Sequence, residues 1–171
     1  MADSDREFIE TAIQAARACL SEDTDRRPKV GAVLSRGADL IATAYRGEFK
    51  PGEHAEYTLL QGKLHGQELR DTTLFTTLEP CTTRKHPKRP CADWIIERKV
   101  QRVVVGMLDP NPVVYEQGVS RLRASGIQID YFPMKWREVV RSENKAFIEQ
   151  FHASPALQGK AKQPGWKRPV H

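Results

Sequence analysis

Apolar residues recur at two spacings along this chain, and the alternation between them outlines the fold. From Ser4 to Leu20, the residues Phe8, Ile9, Ala12, Ile13, Ala16 and Leu20 fall on one face of a helix. Ser4 is the expected N-cap. Charged residues from Glu22 to Lys29 end that helix in a loop. Val30-Gly-Ala-Val-Leu34 then reads as a buried strand and Leu40-Ile-Ala-Thr43 as its partner. The turn chemistry of Ser35 to Asp39 between them predicts a β-hairpin. Pro51 and Gly52 mark a loop, and a helix follows from Glu53 to Leu64.

Strands and helices alternate after that point. Thr73 to Thr77 is a strand rich in β-branched residues, and Pro80 to Pro90 is a basic loop holding three prolines. A helix over Ala92 to Lys99, a strongly apolar strand over Arg102 to Gly106 and a break at Asp109-Pro-Asn-Pro112 come next. Gln117 to Ala124 is helical and closed by Gly126, Ile127 to Tyr131 is a strand, and Met134 to Phe151 is expected to be one final helix. The order β-β-α-β-α-β-α-β-α predicts an α/β sheet with helices on both faces and parallel crossovers after the hairpin.

Length and composition add boundaries. A chain of 171 residues, 39% hydrophobic and 29% charged, has the make-up of one soluble globular domain. We expect it to span residues 1–153, with a basic, flexible tail over 154–171. No apolar run approaches the roughly 18 residues that span a bilayer. The polar stretch Met1 to Glu10 is no signal peptide, so the expected location is the cytoplasm. Three cysteines without a secretion signal argue against a disulfide framework and for metal binding or plain burial. The net charge of +5 favours anionic partners.

The chemistry concentrates in three places: His54-Ala55-Glu56 opening a helix, Pro80-Cys81 ending a strand and Cys91 opening another helix. One imidazole and two thiolates suit zinc, and three protein ligands leave a fourth position open, as in catalytic sites. Hydrolytic removal of an amine from an aromatic ring needs a nucleophile at neutral pH and a group that carries protons. Zinc supplies the first, and Glu56 is the candidate for the second. Residues two apart do not share a helix face, so the pair works only if His54 stands at the helix mouth. The order follows the zinc-deaminase signature H-x-E and P-C-x-x-C, here with nine residues between Cys81 and Cys91. Cys19 lies on the apolar face of the first helix and reads as a buried structural thiol.

On these residues the chain resembles the cytidine and deoxycytidylate deaminase superfamily, and within it the pyrimidine-deaminase domain of riboflavin biosynthesis. The resemblance runs from Val30 to Phe151. It is carried by Val30-Gly-Ala-Val33, His54-Ala-Glu56, Thr77-Leu-Glu-Pro-Cys81, Arg102-Val-Val-Val105, Met107-Leu-Asp-Pro-Asn-Pro112, Arg121 to Ile127, Asn144 and Phe147. It implies a three-layer α/β/α sandwich around a five-stranded mixed sheet, one zinc ion and a homo-oligomer. It also implies His54, Cys81 and Cys91 as ligands, Glu56 as proton shuttle, and a backbone near Leu78-Glu79-Pro80 that receives the exocyclic amine.

Two segments depart from that branch. Arg26-Arg27-Pro28 stands where Pro-Asn-Pro is usual, and the loop between the cysteines is longer and more basic. Arg84, Lys85, Lys88 and Arg89, with Arg26, Arg27 and Lys29, read as a pocket for phosphate by charge pairing and bidentate contact. A solvated basic loop is the ordinary alternative. Arg27, Arg84, Lys85 and His86 are the candidate substrate contacts. The expected partner is a small pyrimidine-type substrate. A base in single-stranded DNA or RNA is the second reading, and a non-catalytic, zinc-stabilised binding subunit is the third.

Overall fold

The computed structural model describes residues 3–19 and 27–152. The expected tail, Leu20 and Arg26 lie outside the described residues. Helix α1 (Asp3–Arg17) precedes strands β1 (Gly31–Arg36) and β2 (Asp39–Tyr45). A short helix α2 (Ala55–Tyr57) continues directly into a π-helical segment, Thr58–Lys63. Then come β3 (Thr73–Leu78), α3 (Cys91–Glu97), β4 (Arg102–Met107), α4 (Gln117–Ala124), β5 (Gln128–Tyr131), α5 (Met134–Glu143) and α6 (Lys145–His152).

The five strands form one mixed sheet in the order β2-β1-β3-β4-β5. Strand β1 runs antiparallel to β2 and β3, whereas β3, β4 and β5 are mutually parallel. The β1–β2 pair is the predicted hairpin, and each parallel step is made by a crossover through a helix, as parallel pairing requires. Helices cover both faces, so the central strands read as nearly continuous apolar runs. Five of the six residues of each of β3 and β4 are buried.

Alternation along the strands assigns the faces. Val33, Phe75 and Val104 are register partners on one face, where Phe8 of α1 packs on Phe75 with ring centroids 5.3 Å apart. Complete burial of a side chain such as Ile9 or Phe75 contributes about 1.5–3 kcal/mol over exposure. Helix α1 approaches β1 so closely that a Cβ at Gly31 would run into the Ala12 carbonyl oxygen. Arg102 locks the same helix in place. Its guanidinium makes two 3.0 Å bonds to the Asp5 carboxylate and a 2.6 Å bond to Asp130. The opposite face presents Ala32, Thr76 and Val105, and helix α2 lies there.

One expectation is corrected. The final helix is two helices, broken at Asn144, whose backbone leaves helical geometry at φ −109°, ψ 20°. The cause is tertiary. The Asn144 Oδ1 accepts from the Lys29 N–H at 2.7 Å, and its Nδ2 donates to the carbonyls of Lys29 (3.3 Å) and Val140 (3.0 Å). The amide thus ties the end of α5 to the chain entering β1. Helical periodicity carries through both segments and does not record the break.

Candidate active site

His54 is the N-cap of α2, with an extended backbone (φ −74°, ψ 144°). Gly52, at φ +74°, makes the turn that delivers the chain to this position. His54 therefore stands at the helix mouth and Glu56 in the first turn, which is the arrangement that brings residues two apart to one site. On the sheet side, β3 ends at Leu78 and delivers Cys81. Cys91 opens α3 after Pro90, whose fixed φ suits a helix start. The Cys91 N–H donates to the Cys81 sulfur at 3.3 Å, and the Ala92 N–H donates to the Cys81 carbonyl at 3.1 Å. These two bonds clamp both ends of the nine-residue loop at the site.

The His54 Nδ1 lies 3.4 Å from the Cys81 sulfur and 3.5 Å from that of Cys91. All three donor atoms fall within 4.8 Å of one another, the only such group among the described residues. One imidazole nitrogen and two sulfurs converging on a point fit zinc in number and softness. The charge pattern agrees. The Cys91 thiol donates to the Cys81 sulfur, and with help from His54 this holds the Cys81 thiol down at about 4, so it is a thiolate at neutral pH. Cys91 is pushed up by that same bond and by burial.

Glu56 is buried against this cluster. Its Oε1 lies 3.1 Å from the Thr76 hydroxyl, which also stands 3.0 Å from the Leu78 carbonyl. Burial raises the Glu56 carboxyl above the ordinary glutamate range, and the nearby His54 and the Thr76 bond oppose that rise. A cavity of about 220 Å³ opens over His54, Glu56 and Cys81. Arg27 and Arg46 line it, as do Asp109 and Asn111, with Phe147 and Phe151 as apolar surface. Burial also raises the Asp109 carboxyl.

The sequence-derived candidates divide. His54, Glu56, Cys81 and Arg27 line the cavity, and Cys91 lies fully buried behind it. Arg84 turns to the Tyr57 ring, 5.7 Å from its centroid, and lines a second cavity of about 280 Å³ with Trp94 and Lys88. Lys85 and His86 line neither cavity. Arg89 is occupied by an ion pair to Glu97 at 2.6 Å and by the face of Trp94. Arg46 and Thr76 escaped the sequence reading. A threonine inside a β-branched strand carries no local mark that its hydroxyl will meet a carboxyl twenty residues away.

Relatives share the fold. Residues 2–107 match the cytidine and deoxycytidylate deaminase zinc-binding region. The chain is 38% identical over 129 residues to the riboflavin biosynthesis protein RibD of Aquifex aeolicus, covering 74% of this chain and 34% of that protein. It is 34% identical over 128 residues to the diaminohydroxyphosphoribosylamino-pyrimidine deaminase of Buchnera aphidicola, covering 73% of this chain and 82% of that one. The crystal structure of a diaminohydroxyphosphoribosylaminopyrimidine deaminase/5-amino-6-(5-phosphoribosylamino)uracil reductase from Thermotoga maritima superposes with a TM-score of 0.74 at 33% identity, over 87% of this chain and 41% of the other. The chain spans about a third of the length of the RibD protein it matches. With the matched region extending over the His54, Cys81 and Cys91 elements, the chain belongs to the cytidine and deoxycytidylate deaminase zinc-binding family.

Proposed function

We propose that this chain is a zinc-dependent hydrolytic deaminase that removes an exocyclic amine from a pyrimidine-type base or nucleotide and releases ammonia. One observation carries the reading: a buried carboxyl, Glu56, lines the same cavity as His54 and Cys81 of a converging His-Cys-Cys set. A purely structural zinc site has no use for that carboxyl. His54, Cys81 and Cys91 would hold the metal. Zinc bound there lowers the pKa of its water to about 7 and so supplies a nucleophile at neutral pH.

The protein's own work is proton transfer and orientation. Glu56 takes a proton from the nucleophilic water and gives it to the ring nitrogen beside the attacked carbon. It then carries the second proton from the new hydroxyl to the departing amine, which leaves as ammonia. A carboxyl raised by burial is suited to both directions of transfer. The Thr76 hydroxyl holds Oε1 and leaves the other oxygen for the transfer. Phe147 and Phe151 give a ring an apolar surface, and Arg27 and Arg46 give an anionic substituent a cationic edge.

The finer substrate reading is a phosphoribosylated aminopyrimidine like that in the names of the relatives, supported by the cationic edge. The contact of Arg84 with the Tyr57 ring, in a cavity also lined by Lys88 and Trp94, favours a second reading, a base in a single-stranded nucleic acid. A cytoplasmic location and a homo-oligomer complete the proposal; among the described residues, no helix is long and apolar enough to cross a membrane. Ammonia release by the zinc-loaded protein decides between substrates. The panel holds cytosine, cytidine, dCMP, the phosphoribosylated diaminopyrimidine, and single-stranded DNA and RNA. Release from one small molecule supports the first reading, and release from a polynucleotide alone supports the second.

A further inference from the structure

Glu56 is not the only buried carboxyl at this cavity. Glu79, in the segment between β3 and Cys81, lines it too and is only 4% exposed. By position alone it is a rival acid–base group. Its hydrogen bonds give it a different task. Oε2 accepts the N–H of Asp109 at 3.0 Å and that of Glu116 at 3.2 Å. Oε1 accepts the N–H of Gly118 at 2.8 Å and that of Val119 at 3.1 Å. A carboxylate offers about four acceptor positions, and backbone donors occupy all four.

We infer that Glu79 is a positioning residue: it pins both ends of the 109–119 segment to the end of β3 and thereby holds Asp109 and Asn111 at the cavity. The inference rests on the deaminase reading of that cavity. Three further features of the segment support it. Glu116 adopts a left-handed backbone at φ +59°, a conformation that disfavours a side chain, at the point where its N–H meets Glu79. Gly118 approaches so closely that a Cβ there would collide with the Pro80 carbonyl oxygen and stand 2.9 Å from the Glu79 Cγ. Between the pins, Asp109 Oδ1 accepts the Asn111 N–H at 2.9 Å, and Asn111 Oδ1 accepts the Val113 N–H at 3.1 Å. Each of these two side chains spends one oxygen on the loop, and both residues line the cavity. The first turn of α4 adds its dipole to the attraction for the carboxylate.

Glu79→Gln preserves shape but turns one oxygen into a donor facing backbone donors. The expected result is full zinc content, at least tenfold faster hydrogen exchange at the amides of 109, 116, 118 and 119, and unchanged exchange at 103–105. With the small-molecule substrate found by the panel, KM rises at least tenfold while kcat changes less than threefold. Glu79→Asp, which keeps four acceptor positions, recovers part of both effects. Unchanged exchange at the four amides overturns the inference, as does a loosened segment with an unaltered KM. If neither variant folds, native-state exchange of the wild type decides: strong protection at the four amides supports the pin, and exchange at unstructured-peptide rates refutes it. The exchange measurement needs no substrate, so a failure of the deaminase reading is seen separately, as absent turnover by the wild type.

Discussion

The Thr76 hydroxyl and the Glu56 carboxyl meet at 3.1 Å across the gap between strand β3 and the helix that begins after His54. The contact joins the two layers that build the site and restrains the orientation of the carboxyl. The Thr76 bond favours the ionised form of Glu56, against the larger effect of burial.

Thr76→Val removes that bond and keeps the side-chain volume. Losing one hydrogen bond corresponds to about three- to tenfold in rate. The sign of the pH effect follows. Glu56 must be ionised in the free enzyme to accept a proton, and without Thr76 it is ionised over a narrower range. The acidic limb of the kcat/KM profile therefore moves to higher pH, as a pH–rate series would read.

The thiols differ before any metal binds. In zinc-free protein prepared by chelation, Cys81 is the thiolate, held at about 4 by the Cys91 thiol and His54, whereas Cys19 is raised by burial. Iodoacetamide labelling followed by peptide mapping should find Cys81 alkylated well below pH 7 and Cys19 and Cys91 resistant there. Zinc should protect Cys81.

Metal removal should cost stability as well as activity, because His54, Cys81 and Cys91 come from three separate elements that only the folded chain assembles. At free zinc 100-fold above its dissociation constant, the linkage is about 2.7 kcal/mol. For a domain of this size that is a rise in Tm of roughly 5–10 °C. Calorimetry of the chelated and reconstituted protein measures it.

Asn144→Ala should destabilise the fold by about 2 kcal/mol, because the Lys29 N–H and carbonyl both lose their partner. The loss should also weaken substrate binding, since Arg27 and Pro28 precede Lys29, Phe147 follows Asn144, and all three line the cavity. Urea unfolding and KM read the two effects.

The features legible in the sequence were those with local causes. The hairpin and the alternating crossovers follow from periodicity and turn residues, and the sheet bears them out; motif order singled out His54, Cys81 and Cys91, which the fold brings together. Features set by long-range contact were hidden. The break at Asn144 depends on a strand entrance more than a hundred residues earlier, and the role of Glu79 depends on four amides thirty or more residues later. The basic loop shows the same limit in reverse. Its charge is plain in the sequence, but the aromatic rings that draw Arg84 and Arg89 away from the main cavity come from the helices on either side of it.

The most direct test of the account is ammonia release by zinc-loaded Glu56→Gln beside the wild type, with zinc content measured in both. The account predicts one zinc per chain in each protein and a loss of turnover on the order of 100-fold or more in the variant, the scale of general acid–base catalysis. Equal turnover by the two zinc-loaded proteins would contradict the assignment of Glu56 as the group that moves the protons.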